Sequence, residues 1–184
     1  MRYKYMYKLA NLQDYALSNV YQNVEMIVYS AVCFFIPLLM GHPQIFVGIA
    51  VNAMLITGAL NIKGYRLLPV IMLPSLGVLS RGILFGPLSK FLIYFIPFIW
   101  IGNSILVFSF KHFKLAKKFN YAITLLIGAL LKSGFLFLSA LLLYKLSIVP
   151  VVFLTAMGLI QLTTALGGGA AAYGIHRVKK LLTR

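Results

Sequence analysis

The chain has 184 residues, 61% of them hydrophobic and 10% charged, with a mean hydropathy of +0.95. Soluble domains carry about 45–50% apolar residues, so lipid rather than water is expected to surround most of this chain. The net charge is +15, from 17 Lys and Arg against 2 acids. In a soluble protein that balance would suggest nucleic acid, but beside long apolar runs the cations are expected to flank membrane spans, with no nucleic-acid partner.

The apolar runs are continuous and do not alternate every second residue, which argues against a transmembrane β-barrel. The expected class is an all-α, polytopic integral membrane protein in one compact bundle.

Residues 1–23 mix Arg2, Lys4 and Lys8 with Tyr3, Tyr5, Met6, Tyr7 and Leu9. This pattern suits an interfacial segment, with rings at headgroup level and cations toward anionic lipid. No apolar region with a small-residue cleavage site follows, so the first span is expected to direct insertion itself.

A hydrocarbon core of about 30 Å needs about 20 helical residues. Six spans are expected on that scale, at about 24–40, 45–61, 67–85, 89–110, 119–143 and 147–173. Residues 67–110 read as a membrane hairpin whose apolar sequence is interrupted at Pro69, Pro74, Gly86-Pro87 and Pro97. With Gly77 and Gly82 added, the third span is expected to be bent or broken, which is tolerable only where protein covers the freed backbone groups.

Six spans put both termini on one side. All Lys and Arg other than Arg81, Lys90, Lys132 and Lys145 fall in the N-terminal segment, the loops at 62–66 and 111–118, and the C-terminal tail. The positive-inside rule therefore places both termini in the cytoplasm. The run Gly167 to Ala172 makes the last span slim on every face, which suits close helix packing inside the bundle or against another membrane protein.

Polar side chains at membrane depth are costly and are functional candidates by default. Lys132 stands near the centre of the fifth span, while the only acids, Asp14 and Glu25, lie toward the cytoplasmic end and are not expected to pair with it at that depth. A buried cation with no protein counterion points to an anionic ligand or a water-filled cavity, or to a side chain that snorkels or meets backbone carbonyls. Arg81 lies near the outer end of the third span and has the same two readings. Asn52, Asn103 and Gln161 fall mid-span, where an amide either joins helix to helix or contacts a ligand. Thr163 and Thr164 are expected to bond backbone within the last span.

Several chemistries lack their residues. There is no P-loop, and two acids cannot build the Asp-rich metal cluster of a membrane phosphotransferase. His42, His112 and His176 stand in three separate loops or tails, so neither a metal site nor a cofactor is expected. No acid lies at mid-membrane to relay protons, and no base partners Cys33 or Ser133, so an enzyme is not expected.

The stretch from Gly82 to Leu88, GILFGPL, and that from Phe95 to Asn103, FIPFIWIGN, resemble sequence of the substrate-binding S components of energy-coupling factor (ECF) transporters, a type of ABC transporter. The whole plan is similar too: a chain of this size, six helices and cytoplasmic termini. The family's Ala-x-x-x-Ala docking motif on helix 1 is not present in the first span. The resemblance implies binding without catalysis. A vitamin-like or other micronutrient, with an acidic group as one option, would be captured from outside for ATP-driven uptake by a transmembrane coupling subunit and two ATPase subunits. Asn52, Arg81, Asn103, Lys132 and Gln161 would then line the substrate-binding pocket. Two other readings stand beside it: a non-catalytic scaffolding subunit of a membrane or cell-envelope complex, and a small stand-alone permease.

Overall fold

A computed structural model describes residues 2–14, 17–40, 43–85 and 90–182. The His42 turn, the Gly86-Pro87 break and Arg184 lie outside the described residues. The elements in order are α1 (Arg2–Ala10), α2 (Asn19–Leu39), α3 (Gln44–Asn61), a 3-10 turn (Gly64–Arg66), α4 (Leu67–Phe85), α5 (Leu92–Ser109), a π-helical turn (Phe110–Ala116), α6 (Tyr121–Lys145), α7 (Val152–Met157) and α8 (Leu159–Leu182). The fold is all-α, and among the described residues five helices are long and apolar enough to cross a membrane, the pattern of a multi-pass membrane protein. They are α2, α3, α5 with its π-helical extension, α6, and α7 with α8. Helix α4 adds nineteen more helical residues.

Local chemistry sets the starts of these helices. Ser18 caps α2, its hydroxyl accepting from the Tyr21 amide at 3.4 Å. Asn120 caps α6, its side-chain oxygen accepting from the Ala122 amide at 2.8 Å.

Helix α3 is the centre of the bundle. It packs on α8, α2, α5 and α4, and Val51, Ala53, Leu55, Ile56, Ala59 and Leu60 are all buried. A helix enclosed on most sides has no polar stripe, as its sequence from Gln44 to Asn61 shows. The outer helices are apolar outward as well. Ile27, Val28 and Phe35 of α2 and Leu126, Leu130, Leu138 and Leu142 of α6 are exposed, a surface suited to lipid.

The long helices alternate in direction. Residues 12–14, the end of α3, the π-helical turn and the C-terminal part of α8 therefore meet at one end. There the Asp14 amide donates to the Leu60 carbonyl at 2.9 Å, the Gln13 side chain donates to the Asn61 carbonyl at 2.6 Å, and Asp14 pairs with His176 at 3.1 Å. This end also carries Lys63, Arg66, Lys114, Lys117, Lys118, Arg177 and Lys180. We call it the basic end. The opposite end holds the end of α2, the starts of α3 and α5, and α7.

The apolar interior is in two parts. One cluster, toward the basic end, contains Cys33, Leu55, Ile56, Val70, Leu106 and Phe110. The other, toward the opposite end, contains Phe95, Leu136, Ala140, Leu143, Phe153 and Met157, with Phe95 and Phe153 stacked at 5.1 Å between ring centres. On α5 the clusters are separated by Asn103, and on α6 by Lys132.

Prolines and glycines do not mark the helix interruptions one for one. Helix α4 is one helix from Leu67 to Phe85 with Pro74 inside it. Polar side chains of α5 bond carbonyls of the turn before Pro74: Trp100 Nε1 donates to the Met72 carbonyl at 3.3 Å and Asn103 Nδ2 to the Ile71 carbonyl at 2.9 Å. These bonds tie α4 to α5 in the turn where Pro74 removes the amide that would have bonded the Val70 carbonyl. A break lies in the last span. Helix α7 stops at Gly158, whose φ of −96° and ψ of −89° are not helical, and α8 starts anew at Leu159.

The glycine run of α8 is spent inside the bundle. A Cβ on Gly168 would lie 2.5 Å from Asn52 Cβ and 2.8 Å from the Ala53 nitrogen, and one on Gly169 would lie 2.2 Å from a Leu125 methyl carbon. Small residues here let α8 sit against the backbone of α3 and against the Leu125 side chain of α6.

Candidate functional site

Four helices bring one buried polar group each to the layer between the two apolar clusters. They are Asn52 from α3, Asn103 from α5, Lys132 from α6 and Thr164 from α8, each at most 2% exposed. Lys132 Nζ donates to Asn52 Oδ1 at 2.6 Å and to Asn103 Oδ1 at 2.8 Å. Asn52 Nδ2 in turn donates to the Gly48 carbonyl at 2.9 Å and to Thr164 Oγ1 at 3.2 Å. Through Asn103 the layer reaches α4 at the Ile71 carbonyl. Beside it, Trp100 Nε1 donates to Ser75 Oγ at 2.8 Å, and that hydroxyl donates to the Met72 carbonyl at 2.8 Å.

Each amide has a fixed sense. Both side-chain oxygens face the lysine and both nitrogens face backbone or hydroxyl acceptors. The ammonium is therefore held by two neutral dipoles and not by a carboxylate. The two acids of the chain are committed at the basic end. Asp14 meets His176, and Glu25 meets Lys179 and accepts from Tyr29 Oη at 2.8 Å. A buried ammonium without an anion keeps much of its desolvation cost, because dipoles compensate a full charge only in part.

A cavity of about 150 Å³ opens on this layer. Lys132, Asn52, Asn103 and Thr164 form its floor. Its walls are apolar: Val47 and Val51 of α3, Ile96 and Ile99 of α5, Met157 of α7 and Ile160 of α8, with Pro37 of α2 and Pro74 and Val78 of α4. Gln44, Leu92 and Gln161, from the first turns of α3, α5 and α8, stand toward the end opposite the basic one. The cavity is thus closed toward the basic end by the first apolar cluster and runs toward the other end. It is large enough for several waters or one small solute.

The residues singled out from sequence separate into two groups. Asn52, Asn103, Lys132 and Gln161 all line the cavity. Arg81 does not line it. Its guanidinium donates to the Leu39 carbonyl at 2.9 Å and, at 3.4 Å, to that of Leu38, at the C-terminal end of α2. A cation there meets the negative end of the helix dipole. Thr164 has two roles: besides accepting from Asn52 it donates to the Gln161 carbonyl at 3.2 Å, the backbone bond expected of it. Its cavity role had no sequence signal beyond its position four residues before Gly168. Ser75 and Gln44 were also missed, and only the proline beside Ser75 marked its turn.

A second buried lysine, Lys111, lies in the π-helical turn. It donates to the Leu12 carbonyl and, at 2.6 Å, to the Ile62 carbonyl, which ties the N-terminal segment to the end of α3. Among the described residues no three His, Cys, Asp or Glu side chains gather to hold a metal ion. Compared with protein-family models, with curated proteins and with solved structures, the chain matches none.

Proposed function

We propose that this chain is a membrane-embedded solute-capture protein. On this reading it spans the bilayer six times, with α4 as the sixth span, and the basic end with both termini faces the cytoplasm. The cavity then opens to the outside. The observation that carries the proposal is the cavity floored by Lys132, an ammonium held by Asn52 and Asn103 and far from either acid. A charge buried at that depth is costly to keep, and a solute that completes its coordination offsets the cost.

Capture alone does not move a solute. The chain has no P-loop, and the resemblance of residues 67–110 to ECF S components supplies the remaining step. We place this chain as the S component that delivers solute to a transmembrane coupling subunit driven by two ATPases. The exposed apolar faces of α2 and α6 are available to such a membrane partner or to lipid.

Native mass spectrometry of the protein released gently from its own membranes tests both levels. A bound small molecule that is lost in Lys132→Met supports capture, and co-release of a membrane subunit with ATPases supports the ECF assignment. A protein released without any small molecule, and unable to take one up in vesicles, would refute capture. Release with cell-envelope enzymes instead of ATPases would refute the ECF assignment alone.

A further inference from the structure

We propose that the cavity is selective for a small monocarboxylate with an apolar body. The inference rests on the capture reading and follows from counting donors and charges at the floor. An ammonium has three N–H groups and a primary amide two. Lys132 uses two of its three on Asn52 and Asn103. Asn52 uses both of its own, on Gly48 and Thr164. Asn103 uses one, on the Ile71 carbonyl. The Thr164 hydroxyl is committed to the Gln161 carbonyl.

Two donors of the floor are therefore unspent among the described residues: one N–H of Lys132 and one of Asn103. One is charged and one neutral. A carboxylate offers two oxygens to these two donors and one negative charge to one ammonium. A dianion is disfavoured, because Lys132 is the single charged residue lining the cavity among the described residues. A neutral amide would leave the ammonium without a counterion. The walls decide the body of the solute. Val47, Val51, Ile96, Ile99 and Ile160 give an apolar slot, and a volume of about 150 Å³ takes one benzene-sized ring.

Three probes with one ring and different heads test this: benzoate, the near-isosteric benzamide and the bulkier dianion phthalate, titrated into the full chain in lipid nanodiscs at neutral pH. Benzoate is expected to bind about ten- to a hundredfold more tightly than either of the others, as a charge-assisted hydrogen bond implies. Lys132→Met should erase the preference for benzoate over benzamide. Because that variant also strips the donor from two buried amide oxygens, Asn103→Asp serves as a second. It keeps the shape, gives up the bond to the Ile71 carbonyl and one of the two unspent donors, puts a carboxylate beside Lys132, and should reduce benzoate to the level of benzamide while the fold remains cooperative.

Benzamide or phthalate binding as tightly as benzoate would overturn the assignment, as would a failure of all three to bind at millimolar concentration. If native mass spectrometry still finds a bound solute in those cases, only the solute class is wrong. If it finds none, and none of the three probes binds, the capture reading falls with it.

Discussion

Gly168→Ala is the substitution whose effect can be worked most directly from the structure. The added methyl would lie 2.5 Å from Asn52 Cβ, 2.8 Å from the Ala53 nitrogen and 2.8 Å from the Ile49 carbonyl oxygen. Carbon atoms in contact prefer about 3.5–4.0 Å, so α8 must retreat from α3 by about 1 Å. Two of the three obstacles are backbone, and no rotamer change relieves them. Overpacking of this kind costs about 1–3 kcal/mol. The same shift would take the Asn52–Thr164 hydrogen bond, already 3.2 Å long, out of range. That bond is worth about 0.6–2 kcal/mol between helices in a membrane. Together the loss is about 2–5 kcal/mol, against a helix-propensity gain of up to about 1 kcal/mol for alanine. Gly174→Ala is the control: no neighbouring heavy atom lies within 4 Å of its added Cβ, so only the gain remains. The assay is the unfolding midpoint of both variants in one detergent, with benzoate affinity as the second readout. Gly168→Ala should lose stability and affinity together. If it matches Gly174→Ala in both, the α3–α8 backbone contact does not hold the floor.

Three more predictions address groups around the cavity. Arg81→Gln removes a guanidinium from the end of α2 and should cost about 0.3–1 kcal/mol, read from the unfolding midpoint. Its effect on benzoate affinity should be far smaller than that of Lys132→Met, and an equal effect would return Arg81 to the site. Trp100 is the single tryptophan and donates to Ser75, which lines the cavity. Its emission should shift on benzoate binding, and an unchanged spectrum at saturation would place the probe elsewhere. Lys111→Met leaves the Leu12 and Ile62 carbonyls without their donor, at about 1–3 kcal/mol locally. Hydrogen exchange at the Asp14 amide should quicken about ten- to a hundredfold, while benzoate affinity at the far end stays the same. Unchanged Asp14 protection would show that Lys111 does not tie down the N-terminal segment.

What was legible in the sequence follows from cost. An amide or ammonium amid apolar residues must find partners, and this marked Asn52, Asn103 and Lys132 before any geometry was known. The count of acids said that Lys132 had no carboxylate, and the ends of α3 and α8 show where the two acids went. Arg81 was harder to place. A long cation near a helix end can reach a pocket, water or a helix terminus from one position, and only the path of α2 decides among them. The helix breaks were harder still. Pro74 lacks an amide hydrogen, yet α4 runs through it, packed on α5 by Asn103 and Trp100, and those contacts are thirty residues away in sequence or nearly so. Gly158 looks like any glycine of an apolar run, and its backbone angles come from the corner between α7 and α8. The π-helical turn carried no sequence signal that we can identify.

That corner bears on how the cavity would close. The floor comes from the middles of α3, α5, α6 and α8, clamped between two apolar clusters and joined by hydrogen bonds of 2.6–3.2 Å. Such a layer has little freedom, because moving one member unpairs another. On the side away from the floor, Met157, Ile160 and Gln161 flank Gly158, where the helical path is interrupted. The corner is held by local bonds, from the Gly158 amide to the Leu154 carbonyl at 2.9 Å and from the Leu162 amide to the Gly158 carbonyl at 3.0 Å. A solute between floor and corner would therefore order the corner and leave the floor as it is. Hydrogen exchange should slow at residues 158–162 when benzoate is bound and stay unchanged at residues 103–106 and 132–136. Equal slowing in all three segments would mean that the layer itself is loose without solute, and that the rigidity assigned to it is wrong.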